Sequence, residues 1–166
     1  MEKTLNHLWS PWRMTYIQND RKEGCVFCNA LGEQDGADNL VVYRGQMAFV
    51  ILNRYPYTSG HLMIVPNKHT ASLQELTPET LSELMGLAAK SIQILDDEYH
   101  PQGYNLGMNL GEVAGAGIVD HLHMHIVPRW GGDTNFMSTT AATRVLPEAL
   151  EDTYLRIVKA WGNSNL

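Results

Sequence analysis

The sequence predicts an α+β protein in which helices pack on one face of a mainly antiparallel sheet. Two observations predict this class. Short apolar segments follow one another through short turns, which is typical of antiparallel neighbours. Two longer segments carry apolar residues at helical spacing and predict amphipathic helices. The chain has 166 residues, of which 44% are hydrophobic, enough to bury a core without covalent cross-links. We therefore expect residues 1–166 to form a single domain.

Five segments are typical of strands. Arg44 and Gly45 separate the first two, and Gly60 opens the third. The fourth and fifth follow a long helical segment and are separated by a glycine-rich stretch. The predicted strands are Leu40–Tyr43, Met47–Leu52, His61–Val65, Gly103–Leu110 and His121–Val127.

The longer predicted helix begins at Thr77 and Pro78, because a threonine N-cap followed by proline is a favoured start. Pro101 and Gly103 end it. One face of this helix is predicted to be core, and it carries Leu81, Leu84, Met85, Ala88, Ile92 and Leu95.

A second helix is predicted from Pro147 to about Trp161, again with one apolar stripe that belongs to the core. The segment Ala30–Asn39 is rich in glycine and acidic residues and predicts a connection. The stripe of the second helix comprises Leu150, Tyr154, Ile157, Val158 and Trp161.

Composition excludes some classes of partner. The chain has 12 Lys and Arg against 18 Asp and Glu, a net charge of −6, which disfavours binding to duplex nucleic acid. A single small nucleotide is compatible with this charge. No apolar run approaches the roughly 20 residues of a membrane span, and Met1–Ser10 lacks the apolar segment of a signal peptide. We expect a cytoplasmic protein that contacts no membrane.

Three histidines alternate with apolar residues at His121, His123 and His125. On a helix the middle side chain would point away from the other two, whereas on a strand all three share one face. Three buried imidazoles are difficult to explain as packing alone, because each needs hydrogen-bond partners. The row is suited to metal ligation, or to acid/base and nucleophilic chemistry at phosphorus.

Glycines on both sides of the row favour phosphate chemistry, because they let the backbone approach an anion closely. Gly115 and Gly117 do not indicate a dinucleotide-binding fold, since a third glycine is missing and no helix follows. The flanking residues are Gly111, Gly115 and Gly117 before the row, and Pro128, Arg129, Gly131 and Gly132 after it.

The run His121-Leu-His-Met-His-Ile-Val127 resembles the signature of the histidine triad (HIT) family. The block from Leu52 to Pro66 is similar to the nucleotide-binding half of its fragile-histidine-triad branch. Residues from Ala114 to Phe136 look closest to bacterial diadenosine tetraphosphate phosphorylases or hydrolases. The resemblance implies a HIT fold with a five-stranded sheet, a core at about residues 40–136, an N-terminal arm and a C-terminal helix. It extends more loosely to Leu8–Met14.

The resemblance also implies an enzyme that cleaves nucleotides at the α-phosphate through a nucleotidyl-histidine. His123 matches the nucleophile, and a neutral imidazole is a good attacker on an anionic centre. Its other ring nitrogen is expected to bond an acceptor, usually a backbone carbonyl. His121 and His125 are expected to orient it or to donate to phosphate oxygens. His61 matches a histidine that reaches the same site from a neighbouring strand.

The same resemblance suggests the residues that bind substrate. Asn53 matches a ribose contact, and Asn109 resembles a polar contact near the phosphates. The backbone at Gly115, Gly117 and Ile118 is expected to cradle phosphate. The chain has Gly117 where fragile-histidine-triad enzymes carry a glutamine, which leaves open whether water or inorganic phosphate completes the reaction. Two further candidates, Arg129 near the polyphosphate and Trp130 near a base or a subunit interface, have equally good structural explanations.

Cys25 and Cys28 are the only cysteines and form a C-x-x-C pair. A disulfide is unexpected in the cytoplasm, and a thioredoxin-like pair belongs to a different fold. Such a pair is half of a structural zinc site. The resemblance implies His69 and His121 as the remaining ligands, and no organic cofactor.

Rival functions remain at this point. Within the family, a nucleoside phosphoramidase is the alternative. Outside it are a nucleotide-binding regulatory protein and a metalloenzyme that holds zinc on the three histidines. The resemblance further implies a homodimer or higher homo-oligomer.

Overall fold

The computed structural model describes residues 24–133 and 148–164. Leu8–Met14, residues 134–136 and Pro147, which the sequence analysis singled out, lie outside this part. Within it the strands are β1 (Val41–Arg44), β2 (Ala48–Leu52), β3 (Leu62–Pro66), β4 (Gly103–Met108) and β5 (Met124–Arg129). The helices are α1 (Val26–Gly32), α2 (Pro78–Tyr99) and α3 (Leu150–Asn163), with short 3-10 turns at Leu73–Glu75 and Glu112–Ala114.

The strands form one five-stranded sheet in the order β1-β2-β3-β5-β4, and every neighbouring pair is antiparallel. All residues of β2 and β3 are buried, so these two strands are the centre of the core. Helices α2 and α3 pack against each other and against the sheet, and so cover the same face. The predicted α+β architecture is confirmed.

The predicted strand through the histidines is wrong in its bounds, because β5 begins only at Met124. Its pairing with β3 ends at Ile64 opposite Met124. Upstream of that point the N–H of Leu122 donates to the carbonyl of Thr70, in the loop after β3. His121 and His123 therefore precede the strand, and His125 alone of the three lies within it.

The predicted apolar stripe of α2 is correct only in part. Leu81 is 37% exposed and Met85 is 59% exposed. The buried face includes Thr80 and Ser91, which apolar spacing does not identify, and the Ser91 hydroxyl donates to the carbonyl of Leu87. The buried residues of α2 are Thr80, Leu84, Leu87, Ala88, Ser91, Ile94 and Leu95. In α3, Tyr154, Ile157 and Trp161 are buried as predicted, with Leu150 and Val158 partly buried.

Helix α1 was not predicted, and its last three residues, from Ala30 to Gly32, overlap the start of the expected connection Ala30–Asn39. Arg44 anchors its C-terminal end by donating to the carbonyls of Ala30, Leu31 and Glu33. These carbonyls have no partner within the helix, so the guanidinium satisfies them from β1. The N-terminal end begins at Cys25, without a side-chain cap.

No helix among the described residues is long and apolar enough to cross a membrane.

Candidate active site and metal cluster

His123 is 5% exposed and its ring has a defined orientation. Its Nδ1 lies 3.0 Å from the main-chain oxygen of His121. Because a carbonyl can only accept, Nδ1 carries the proton and donates it. The Nε2 atom of neutral His123 then holds a lone pair, which is the arrangement that a nucleophile requires.

His125 is oriented by a hydrogen-bonded chain that begins in the turn before β3. The N–H of Tyr57 donates to Nδ1 of His61 at 3.1 Å, which places the proton of neutral His61 on Nε2. That Nε2–H donates to Nδ1 of His125 at 3.0 Å. Neutral His125 consequently carries its proton on Nε2, where it is a donor.

Asn53, at the end of β2, lies beside His61. Its side-chain nitrogen is 3.4 Å from Nδ1 of His61, and its side-chain oxygen accepts from the N–H of Tyr55. The main-chain N–H of Asn53 also donates to the carbonyl of His61. The structure thus brings Asn53 to the same side of the site as His61 and His125.

His121 is fully buried, and both of its ring nitrogens have partners. Its Nε2–H donates to the carbonyl of Pro66 at 2.8 Å. Its Nδ1 faces the sulfur atoms of Cys25 and Cys28 at 3.2 and 3.7 Å. The contribution of His121 to the orientation of His123 is therefore made by its backbone carbonyl.

Four side chains form a cluster that could hold a metal ion. The donor atoms of Cys25, Cys28, His69 and His121 all lie within 4.8 Å of one another. Nδ1 of His69 is 3.3 Å from the Cys28 sulfur and 3.2 Å from Nδ1 of His121. A tetrahedral zinc ion with the usual bond lengths separates its ligand atoms by about 3.3–3.8 Å, and the four distances between these donor atoms, 3.2, 3.7, 3.3 and 3.2 Å, are close to that range.

The three histidines of the row do not converge on one ion. Among the described residues, the cluster that could hold a metal contains His121 but neither His123 nor His125. His123 instead bonds a carbonyl, and His125 bonds His61. This geometry disfavours a zinc centre built from the row.

Burial lowers the pKa of each histidine in the row. The pKa of His125 falls to about 4, because burial disfavours the charged ring and because a charge on His123 would repel it. Burial lowers the pKa of His123, and the His121 carbonyl opposes this effect. Burial also lowers the pKa of His121 and, together with Cys25, raises the pKa of the Cys28 thiol. The row is therefore neutral at neutral pH.

The predicted phosphate-binding backbone lies on the connection between β4 and His121. Gly115 has a φ of +88°, a conformation that suits glycine, and its carbonyl accepts from the side chain of Asn109 at 3.5 Å. Gly115 and Gly117 are exposed and Ile118 is half-buried. Their roles in binding remain predictions.

Arg129 and Trp130 lie at the far end of β5. The Arg129 guanidinium forms an ion pair with Asp133 and donates to the side chain of Asn105 at 2.6 Å. Trp130 is half-buried. Arg129 is four residues beyond His125, which is about 13 Å along a strand. The partners that the structure gives it, Asp133 and Asn105, belong to the protein itself, and its contact with a nucleotide remains a prediction.

Two aromatic residues that the sequence analysis did not single out complete the site. Phe27 lies between the two cysteines in the chain, and its ring contacts His121 and His123. Tyr57 precedes His61 by four residues, and its ring contacts His61 and His125. The feature of the sequence that could have identified Phe27 is its position between the two cysteines of the C-x-x-C pair. Seven rings contact one another in succession, in the order Tyr57, His61, His125, His123, Phe27, His121 and His69.

Comparison with known proteins identifies the family. A model of the HIT domain matches residues 34–132. The chain is 36% identical over 165 residues to a Mycobacterium tuberculosis protein named AP-4-A phosphorylase, a match that covers 95% of this chain and 85% of that protein. The chain belongs to the HIT family.

Two further matches bear on activity and on the metal cluster. An asymmetrical bis(5'-nucleosyl)-tetraphosphatase of Schizosaccharomyces pombe is 31% identical over 93 residues, which cover 56% of this chain and 50% of that protein. A crystal structure of a Zn-bound histidine triad family protein from Mycobacterium smegmatis superposes with a TM-score of 0.66 at 28% identity, covering 83% of this chain and 93% of that one. The chain is a HIT-family enzyme.

Proposed function

We propose that the protein cleaves dinucleoside polyphosphates at the α-phosphate through a covalent nucleotidyl-His123 intermediate. The observation that carries this proposal is the hydrogen bond from Nδ1–H of His123 to the His121 carbonyl, because it leaves Nε2 unprotonated. The names of the relatives, a phosphorylase of AP-4-A and a nucleosyl tetraphosphatase, support the substrate class.

In the first step, the Nε2 lone pair of His123 attacks the α-phosphorus and the bond to the leaving polyphosphate breaks. His123 thereby becomes a nucleotidyl-imidazolium. The His125 ring, which contacts the nucleophile, is neutral at neutral pH and does not repel the incoming phosphate.

His125 is the donor in this scheme. Because His61 donates to its Nδ1, its proton is on Nε2, from which it can hydrogen-bond a phosphate oxygen or the leaving oxygen. His61 and Asn53 keep His125 in this tautomer, and Asn53 further contacts the ribose.

In the second step, water or inorganic phosphate attacks the same phosphorus and releases Nε2 of His123. With diadenosine tetraphosphate, water gives AMP and ATP, whereas phosphate gives ADP and ATP. The backbone at Gly115, Gly117 and Ile118 binds the phosphates together with the side chain of Asn109. Arg129 approaches the polyphosphate from farther out, and Trp130 packs near a base or a subunit interface.

We further propose that Cys25, Cys28, His69 and His121 hold a structural zinc ion. The ligand distances support this, and so does the Nε2–H of His121, which donates to a backbone carbonyl as metal-bound histidines do. All four positions of the ion are filled by protein, so it would cross-link the chain and bind no water. Thiol ligands also fit the reducing cytoplasm, where we place the protein.

We also propose that the enzyme is a homodimer formed along β4. Among residues 24–133 and 148–164 this strand pairs with β5 alone, and its middle residues are exposed. Leu106 is 42% exposed and Leu110, just after the strand, is 49% exposed. A sheet edge with exposed leucines is suited to pairing with a second copy across a two-fold axis.

The test is product analysis with diadenosine tetraphosphate, with and without inorganic phosphate. We expect ATP in both cases, with AMP from water or with ADP when phosphate is the acceptor. His123→Asn is expected to lose at least about 10³-fold in rate while nucleotide binding survives. His100→Asn is the matched control, because His100 is exposed at the end of α2 and asparagine tolerates its left-handed backbone.

Other outcomes would identify the rivals. Turnover of a nucleoside phosphoramidate but not of diadenosine tetraphosphate would indicate the phosphoramidase branch. Tight nucleotide binding without turnover would indicate a regulatory protein, and near-normal rates in His123→Asn would refute the nucleophile.

A further inference from the structure

The ring of Phe27 contacts the proposed nucleophile directly. Its centroid lies 5.1 Å from that of His123 and 5.4 Å from that of His121. The ring of His125 also contacts His123, at 4.9 Å and an interplanar angle of 76°. Phe27 is 1% exposed, so its ring is held firmly. The His123 imidazole is therefore packed against two rings.

A hydrogen bond alone is a weak constraint on such a ring. The torsion that turns an imidazole about its Cβ–Cγ bond has broad wells. A partial rotation of the His123 ring would turn Nδ1 out of line with the His121 carbonyl and weaken that hydrogen bond. Packing against a rigid neighbour opposes such a rotation, because the edge of the turning ring would enter the space that the neighbour fills.

We propose that Phe27 is a positioning residue for His123, which keeps the imidazole in the orientation that leaves Nε2 free. This inference rests on the proposed nucleophilic role of His123. It goes further by assigning a function in catalysis to a residue of helix α1, which contributes no side chain to the histidine row.

The place of Phe27 in the chain connects this role to the metal cluster. Phe27 follows Cys25 by two residues and precedes Cys28 by one. Helix α1 has 7 residues, too few to be stable on its own, and the side chain of its N-cap residue Cys25 makes no capping hydrogen bond. Ligation by both thiols would fix the backbone on either side of Phe27, so the metal cluster also determines where its ring lies.

Phe27→Leu is the test variant and Phe49→Leu is its matched control. Phe49 is 0% exposed on β2, so the same substitution removes a similar amount of core packing away from the site. Both variants are purified with their metal content measured. The first readout is the single-turnover rate of nucleotidyl-enzyme formation. The second is the His123 tautomer, from the ¹⁵N NMR signals of its ring in the resting protein above the ordinary imidazole pKa.

We expect Phe27→Leu to slow the first step at least about 10-fold beyond Phe49→Leu, since small misplacements of reacting groups are costly. We also expect a population of His123 protonated at Nε2, which the wild type and the control lack. An unchanged tautomer, or equal rates in the two variants, would overturn the inference. If Phe27→Leu does not fold, Phe27→Met is measured in the same way.

The tautomer measurement also separates the two proposals. If the wild type forms no nucleotidyl-enzyme, the proposed function fails, while the NMR comparison still decides whether Phe27 orients His123.

Discussion

Nε2 of His61 lies 3.0 Å from Nδ1 of His125, and this hydrogen bond determines which nitrogen of His125 can donate. The acceptor side of His61 is fixed in turn by the N–H of Tyr57. The proton position on His125 is thus determined by the N–H of Tyr57 through His61, which immediately precedes the neighbouring strand β3. His123 is oriented in the same way by the carbonyl of His121.

His61→Ala removes the donor that holds His125. We predict a fall in kcat of about 10²-fold with diadenosine tetraphosphate, the size typical of losing an oriented general acid. The loss should shrink with a p-nitrophenyl ester of AMP, whose leaving group needs no proton. Steady-state kinetics on both substrates provide the test, with His100→Asn as control because asparagine tolerates the left-handed backbone there. An equal loss on both substrates would contradict the assignment of His125 as a donor.

The acid side of the pH profile is predicted to lie well below the ordinary imidazole range. His125 is faced by His61 and Tyr57 from the turn before β3 and by His123 beside it, and its pKa is lowered to about 4. The proposed mechanism needs both His123 and His125 neutral, and burial lowers the pKa of each, so kcat/KM should stay level as pH falls through 6.5 and decline only at lower pH. Initial rates with metal content checked at each pH measure this, and a decline centred near 6.5 would be inconsistent with the buried site.

The same lowered pKa links stability to pH. Unfolding exposes His125 and returns its pKa toward 6.5, so the unfolded chain binds more protons between about 6.5 and 4. Stability from this group is complete above 6.5 and is lost as pH falls toward 4. Urea unfolding at several pH values measures it. His125→Asn should flatten the dependence, and an unchanged slope in that variant would contradict the prediction.

The metal cluster predicts about one zinc ion per chain. His69→Asn should weaken zinc binding by on the order of 10²-fold or more and lower the melting temperature, because zinc binding contributes to folding. The matched control is His100→Asn, which lies outside the cluster. Metal analysis with a chelator titration measures both variants. Equal zinc content in the two would contradict the ligand assignment.

Gly60, immediately before His61, has a φ of +74°, and a Cβ atom there would lie 2.8 Å from Cδ2 of Leu95. Gly60→Ala should therefore destabilise the protein by about 1–2 kcal/mol through backbone strain and crowding. Gly86→Ala is the control, since Gly86 lies in α2 with open space around it, and it should be neutral or stabilising by about 0.5–1 kcal/mol. Urea unfolding compares them, and equal effects would show that the turn tolerates a side chain.

Local patterns predicted the strands and the class of fold, because alternation and turn residues are visible within a few positions. They could not predict where β5 begins. An extended chain has the same alternation as a strand, and the boundary depends on the partner: the Pro66 carbonyl is taken by the His121 side chain, and Leu122 bonds Thr70.

Other differences arise from contacts between distant residues. The buried face of α2 includes Thr80 and Ser91, whose hydroxyls are satisfied at 3.5 Å by Met47 and at 2.7 Å by Leu87. Helix α1 depends on Arg44, which is far from it in sequence. The cysteine ligands and their two histidines were predicted together only because of the family resemblance, since C-x-x-C by itself is half a site.

Trapping the covalent intermediate tests the central claim most directly. The protein is mixed with diadenosine tetraphosphate, quenched in alkaline denaturant, digested, and analysed by mass spectrometry. The account predicts an acid-labile adenylyl group on the peptide that contains His123, located on that residue, and none in His123→Asn. Turnover of substrate with no adduct on His123, or with the adduct on another residue, would contradict the account.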